Sequence, residues 1–280
     1  MTLYVVPTPV GNLEDMTLRG LRALREADVI ACEDTRRTLK LLNHYEIRKP
    51  LISYHRHNER RRTQELIARL EIGESVALVS DAGTPGISDP GAELVRAAIE
   101  RGLPVDVLPG ANAILPALLL SGIDCEKFLF AGFMGGGDSE RRRSIEGLSG
   151  ISAALVFYIA PHGLPDELDL FASVLGCRDA ALVREISKVH QEVIRGSLAE
   201  IAALSREREI RGELVLVVAG CGDEEEPAAE AGWLTLAKVM KERGIFDKEI
   251  ANVLFASYGI PRNAVKGALL KFKETGGSGL

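Results

Sequence analysis

The sequence predicts an α/β protein in two parts, followed by a small helical extension. Three observations carry this. Short apolar segments alternate with amphipathic helical patterns over the first 110 or so residues, which is the signature of a largely parallel or mixed sheet. A second stretch holds strand candidates joined by short links that read as antiparallel neighbours. Beyond an acidic, Pro- and Ala-containing link the chain shows only helical patterns. With 280 residues, 46% hydrophobic and 26% charged, it can bury sizeable cores and is expected to make two compact α/β units.

In order, the first half offers strands at Leu3 to Val6, Asp28 to Ala31, Leu51 to Ser53, Val76 to Val79 and Val105 to Leu108. Helical patterns separate them at about 17 to 26, 36 to 44, 58 to 71 and 90 to 101. Leu108-Pro109-Gly110 closes this half, and the helical stretch Ala113 to Leu120 leads into the next. There, strands are expected near Phe128 to Gly132, Ala153 to Tyr158, Ala180 to Arg184, Glu192 to Arg195 and Glu213 to Ala219. The expected divisions are 1–115, 116–222 and 223–280. Gly222 to Gly232 reads as a linker, and Asp247 to Ser257 and Arg262 to Phe272 as two helices around a Tyr258 to Pro261 turn. That pair is as readily a structural cap as an RNA-contacting module. Gly276 to Gly279 is expected to be disordered.

Composition narrows the function classes. No apolar run approaches the roughly 20 residues that span a bilayer, and the start lacks the charged-then-apolar order of a signal peptide, so a cytoplasmic protein is expected. Cys32, Cys125, Cys177 and Cys221 are far apart, without a C-x-x-C pair or a His cluster, so neither metal nor disulfide is expected. A net charge of −6 argues weakly against a nucleic-acid partner, but its distribution argues the other way. From Arg36 to Arg62 nine basic residues face only Glu46 and Glu59, leaving +7 together with His44, His55 and His57. Either this is two solvated helix faces or it is a phosphate-facing surface, and the density favours the second.

The densest motif is Val76 to Gly102, where an apolar strand runs into a Gly/Pro-rich turn and out into an amphipathic helix. Asp89 before Pro90 reads as the helix N-cap. Ligands of open α/β sheets bind beyond the carboxyl ends of strands. The loops Pro7 to Leu13, Ser80 to Pro85 and Pro109 to Asn112, each following a strand, are therefore expected to line one cleft. None ends in the Gly-Lys-Ser/Thr of a nucleotide triphosphate loop.

The string S-D-A-G-x-P-x-I-S-D-P-G at Ser80 to Gly91 is far more specific than a lone glycine motif. It occurs with LYVVPTPVGNLEDMTLR at Leu3 to Arg19, ACEDTRRT at Ala31 to Thr38, HRHNE at His55 to Glu59, LPGANA at Leu108 to Ala113, VREISK at Val183 to Lys188 and RGELVLVV at Arg211 to Val218. Together, in this order and over nearly the whole chain, these motifs resemble the ribosomal RNA small subunit methyltransferase I family of the tetrapyrrole methylase superfamily. The resemblance implies a two-domain, tetrapyrrole-methylase-like (class III methyltransferase) fold. It further implies S-adenosylmethionine as cofactor, the ribose 2′-hydroxyl of a cytidine in the decoding region of 16S ribosomal RNA as target, and a homodimer.

It also assigns the cleft to the cofactor, with contacts expected at Pro9, Gly11, Asp81, Ala82, Gly83, Pro85, Asn112, Ala113, Tyr158, Ile159 and Glu213. Methyl transfer by in-line displacement needs positioning and removal of a proton from a poorly acidic hydroxyl, and needs no metal. Candidate groups are Glu33, Asp34 and Arg36 after the second strand, and Glu185 with Arg184 and Lys188. Each has a structural alternative: Glu33 and Asp34 as helix caps, Arg184 with Glu185 as an exposed charge pair. RNA contacts are expected at Arg36, Arg37, His55, His57, Arg60, Arg61, Arg62, Arg141, Arg142, Arg143 and Lys188.

The chain departs from the family in two places. Relatives read Tyr-Glu-Ser/Ala-Pro-His-Arg where this chain has Tyr158-Ile159-Ala160-Pro161-His162-Gly163, and they carry a basic residue soon after Gly-Phe where Gly132-Phe133 is followed by Met134-Gly135-Gly136-Gly137-Asp138. Two alternatives therefore stay open: methylation of a tetrapyrrole or other small molecule, and a non-catalytic RNA-binding relative.

Overall fold

The strand Leu3–Val5 (β1) sits between two parallel neighbours, Val76–Val79 (β4) on one side and Val105–Val107 (β5) on the other. Val29–Cys32 (β2) and Leu51–Ser53 (β3) extend the sheet beyond β4, giving the order β3-β2-β4-β1-β5 with every pairing parallel. In this computed structural model, residues 1–222, 227–258 and 260–275 are described. Every residue of β2 and β4 is buried, which is why VIAC and VALV are unbroken apolar runs rather than alternating ones. Leu18–Glu26 (α1) and Thr35–His44 (α2) cover one face, where Leu21, Leu24 and Leu42 pack on Ile30 and Val79. Glu59–Glu71 (α3) and Ala92–Glu100 (α4) cover the other, with Leu66, Leu70 and Leu94 on Val29 and Leu78.

Ile114–Ser121 (α5) leads to a second five-stranded sheet, of order β6-β7-β10-β8-β9. Its strands are Phe128–Phe133 (β6), Ala154–Ile159 (β7), Asp179–Arg184 (β8), Glu192–Ser197 (β9) and Leu214–Val218 (β10). Only β6 and β7 pair in parallel; the rest are antiparallel, as the short link from β8 to β9 predicts. Strand β10 alternates. Leu214, Leu216 and Val218 enter a core with Leu164–Leu175 (α7) and Leu198–Glu207 (α8), while Val215 and Val217 face Ala117 and Leu118 of α5. Asp138–Glu146 (α6) adds Ile145 to the first of these cores.

By contacts the chain divides into two compact units, Met1–Cys221 and Gly222–Leu280, the first holding both sheets. The second contains Pro227–Glu242 (α9), Asp247–Tyr258 (α10) and Arg262–Thr275 (α11), with a core of Trp233, Ala237, Ile250, Ala251, Leu254, Val265 and Leu269. The expected linker is thus shorter than its composition suggests, because helix begins at Pro227, where proline suits a helix start and alanines follow. Residues 223–226, Gly259 and Gly276 to Gly279, part of the expected link, turn and disordered end, lie outside the described residues. Among the described residues no helix is long and apolar enough to cross a membrane.

One expected boundary is overturned. Helix α4 starts at Ala92 rather than at Pro90, with Gly91 as N-cap at φ 141°. The turn before it includes Ser88 at φ 62°, and the Gly91 N–H donates to Glu59 Oε1 at 2.9 Å. No side chain caps α4, so Asp89 does not make the cap expected of it, and a carboxylate from α3 holds the N-cap residue instead.

Candidate active site

The loops after β1 and β4 are zipped together at the carboxyl end of the first sheet. Thr8 N–H donates to Gly83 O at 2.9 Å, Gly83 N–H returns to Thr8 O at 2.8 Å, and the buried Thr8 hydroxyl donates to Ser80 O at 3.0 Å. Beside them lies a cavity of about 570 Å³. The first sheet contributes Val10, Ala82, Gly83, Thr84, Ser88 and Asp89 to its wall, and the β5–α5 turn contributes Asn112 and Ala113. The second sheet contributes Phe133, Tyr158 and Ile159 at one side, and Ile186, Glu213 and Leu214 at the other. Non-glycine residues with left-handed backbone flank it: Ser88 at φ 62°, and Glu185 and Ser187 at 52° and 61° around Ile186. Such strain clusters where the surrounding structure over-determines a site.

Most residues expected to hold a cofactor therefore line this one cavity: Ala82, Gly83, Asn112, Ala113, Tyr158, Ile159 and Glu213. Asp81, Pro85, Pro9 and Gly11 are not among its lining residues. Asp81 accepts the Asp34 N–H at 3.0 Å and pairs with Arg37 at 3.3 Å. A Cβ on Gly11 would come within 2.5 Å of Ile186 O, so this glycine lets the β1 loop approach the loop after β8.

The acidic candidates separate by their partners. Asp34 caps α2, accepting the Arg36 N–H at 2.8 Å and pairing with its guanidinium at 2.9 Å. That side-chain hydrogen bond holds its carboxyl down to about 2. Glu185 accepts from Lys188 Nζ at 2.9 Å and from the Glu213 N–H at 2.8 Å, tying the end of β8 to the start of β10; the lysine bond lowers its pKa. Lys188 also reaches Glu213 at 3.1 Å. Arg184 pairs with Glu192, not with Glu185. Glu33 differs: burial, then the Asp81 charge, pushes its carboxyl up against the pull of Arg56, His55 and Arg37.

Asp89 is the functional candidate that sequence reasoning missed. Burial, followed by the charges of Glu33 and Asp81, raises its carboxyl to about 6 despite Arg56. Burial and the Asp89 charge in turn push the Tyr158 phenol up to about 12. Asp-Pro after a turn is also a sequence signal for a helix start, so nothing local distinguishes the two roles.

The basic candidates fall into two sets. Arg56, His57, Asn58, Arg60, Arg61 and Gln64 line a second, open depression of about 510 Å³ at the start of α3. Arg60 and Arg61 form no ion pair among the described residues. Arg62 turns inward to Glu65, Arg36 and Arg37 are held by Asp34 and Asp81, and Arg142 donates to Ser173 at 3.2 Å. Arg141 donates to Gly136 O at 3.0 Å, and Arg143 is exposed. His55 is locked by Asn58, whose Oδ1 accepts its N–H at 2.9 Å, and its ring stands edge-on to His57 at 5.9 Å. The same segment is strapped to the cleft, since Arg56 donates to Ser88 O at 2.7 Å and Glu59 holds the Gly91 N–H.

Both changes within the Tyr158 to Gly163 string have a local reading. Ile159 is 2% exposed and forms apolar cleft wall, where an unpaired carboxylate would be costly to bury. Gly163 is the N-cap of α7 at φ 72°, a conformation glycine adopts without strain. Beside them, Phe133 and Phe130 pack on Tyr158 with ring centres 5.3 and 5.0 Å apart.

A parallel sheet and a mixed sheet meeting at such a cleft define a tetrapyrrole-methylase-type enzyme. Residues 2–202 match the family described as Tetrapyrrole (Corrin/Porphyrin) Methylases. The structure of uroporphyrin-III C-methyltransferase from Thermus thermophilus complexed with S-adenosyl homocysteine shares the fold, with a TM-score of 0.55 at 20% identity over 78% of this chain and 97% of that one. Ribosomal RNA small subunit methyltransferase I of Halalkalibacterium halodurans is 44% identical over 94% of this chain and 93% of its own length. Its counterpart in Thermotoga maritima is 42% identical over 218 residues, 78% of this chain and 98% of that protein. The chain belongs to the ribosomal RNA small subunit methyltransferase I family.

Proposed function

We propose that this protein transfers a methyl group from S-adenosylmethionine to the ribose 2′-hydroxyl of a cytidine in 16S ribosomal RNA, in the decoding region. The observation that carries the reading is the cleft: five of the seven motifs shared with the family, scattered through the sequence, contribute residues to its walls. The residues fit the cofactor. A cavity of about 570 Å³ is in the usual range for a small-molecule site. Apolar Ala113, Ile159, Leu214 and Val215 suit a nucleoside. When bound, S-adenosylmethionine supplies an electrophilic methyl group on its sulfonium.

The chain supplies position and proton removal. The zipped loops at Thr8 and Gly83, with Asn112 and Ala113, hold the cofactor side of the cleft rigid. Arg60 and Arg61, free of ion pairs among the described residues, meet backbone phosphates and guide the ribose toward the cleft. Arg56, bonded to Ser88 O, joins that basic surface to the reacting side. We infer a homodimer, as the family resemblance implies, and exposed Leu119 on α5, at 76%, supports an apolar face for a second copy. The work is done in the cytoplasm, where ribosomal RNA is found. The test is transfer of labelled methyl to small ribosomal subunits lacking their own methylations, followed by digestion to nucleosides. Labelled 2′-O-methylcytidine supports the reading; label on a tetrapyrrole instead, or no transfer with cofactor bound, refutes it.

A further inference from the structure

Asp89 sits where a helix cap is expected and does not cap. The N–H of Gly91, the N-cap residue of α4, is taken by Glu59, and among the described residues no hydrogen bond reaches the Asp89 carboxyl. Of the two carboxylates in the cleft wall, Glu213 is paired with Lys188 at 3.1 Å. Asp89 is therefore the cleft carboxylate left to react. Its backbone is held from both sides, by Arg56 on Ser88 O at 2.7 Å and by the Gly86 N–H on Pro90 O at 3.2 Å. Of the other acidic candidates, Asp34 is held by Arg36, Asp81 by Arg37 and the Asp34 N–H, and Glu185 by Lys188, while Glu33 does not line the cleft.

We propose that Asp89 is the general base of the methyl transfer, taking the proton of the ribose hydroxyl. The proposal rests on the methyltransferase reading above. Asp89 Oδ accepts the proton as the ribose O–H bond breaks, and the freed oxygen pair forms the bond to the methyl carbon. The carbon–sulfur bond breaks with its electron pair left on sulfur, which becomes a neutral thioether. Asp89 then returns one proton to solvent. The charged and titratable groups facing it are Glu33 from the end of β2, Asp81 from the end of β4, Arg56 from the loop before α3 and Tyr158 from β7. Burial and the two neighbouring carboxylates hold Asp89 at about 6, close to neutrality, where a base is both ionised and strong enough to help.

The test is Asp89→Asn in the full-length protein. Its kcat should fall by about 100-fold or more, with RNA KM and cofactor affinity changed by less than about threefold. The acidic limb of the wild-type rate profile, with a midpoint near 6, should vanish in the variant. A readout independent of activity is melting temperature without cofactor. The variant's advantage over wild type should grow as pH rises through about 6 if the carboxyl titrates in the fold as described. Glu33→Gln, which removes a neighbouring negative charge, should move the limb to lower pH. Retained turnover or a retained limb in Asp89→Asn overturns the proposal. A cofactor affinity lost by tenfold or more, about 1.4 kcal/mol, also overturns it and makes Asp89 a cofactor contact. A wild type that binds cofactor but methylates no RNA refutes the methyltransferase reading itself, and is distinguished because it is measured before any variant.

Discussion

Replacing Asp89 with Asn should make the protein more stable at neutral pH. The folded state raises this carboxyl from its ordinary 3.8 to about 6, so between those values the folded chain binds more protons than the unfolded chain. Stability then falls as pH rises through that window: the contribution is fully present below about 4 and lost above about 6. At roughly 1.36 kcal/mol per tenfold change in proton affinity, the ionised group costs at most about 3 kcal/mol at pH 7.5, and its access to solvent reduces this to about 1–2 kcal/mol. Asn keeps the shape and cannot ionise. Its melting temperature should exceed the wild type's by about 2–8 °C at pH 7.5 and approach it near pH 4. Differential scanning calorimetry of the two proteins across pH 4 to 8 reads the difference directly. An equal or lower melting temperature for the variant at pH 7.5, or a gap independent of pH, would refute the reasoning.

Exchanging Arg60 and Arg61 together for Ala should weaken RNA binding and reduce the slope of log affinity against log salt by about 1–2, at roughly 0.9 per lost phosphate contact; filter binding across a salt series measures it. Cofactor affinity should not move. Gly91→Ala should destabilise by about 1–3 kcal/mol in urea melts, because at φ 141° its Cβ would lie 2.9 Å from Leu78 Cδ2 and 3.1 Å from Gly86 N. A protein ending at Cys221 should fold and keep cofactor affinity by calorimetry, since that unit has its own cores and the Thermotoga maritima relative is 98% accounted for by 218 residues.

Much of the fold was legible because its signals are local. β2 and β4 are unbroken apolar runs since both faces are buried, and α1 ends its polar approach with Thr17, whose hydroxyl accepts the Gly20 N–H at 2.9 Å. The wall of the cleft was legible for a different reason: the loops at Gly83 and Asn112 both follow strands of one parallel sheet, so topology brings them to one edge. The roles of the charged residues were not legible. Arg60, Arg61 and Arg62 read alike in sequence, yet the helix turns Arg62 inward to Glu65 and leaves the other two free of ion pairs among the described residues. Glu33 and Asp34 are neighbours, yet one is half-buried near like charge and the other caps a helix and pairs with Arg36.

By itself the sequence determined the order of strands and helices, the loops that meet at the cleft and the concentration of basic charge, since periodicity, turn residues and composition act over a few neighbours. Only the tertiary structure decided what Asp89 does. Glu59, distant in sequence, holds the Gly91 N–H, while burial, then Glu33 from the end of β2 and Asp81 from the start of the same loop, raise the proton affinity of the Asp89 carboxyl. Electrostatic environment depends on distance through space, which no local pattern records.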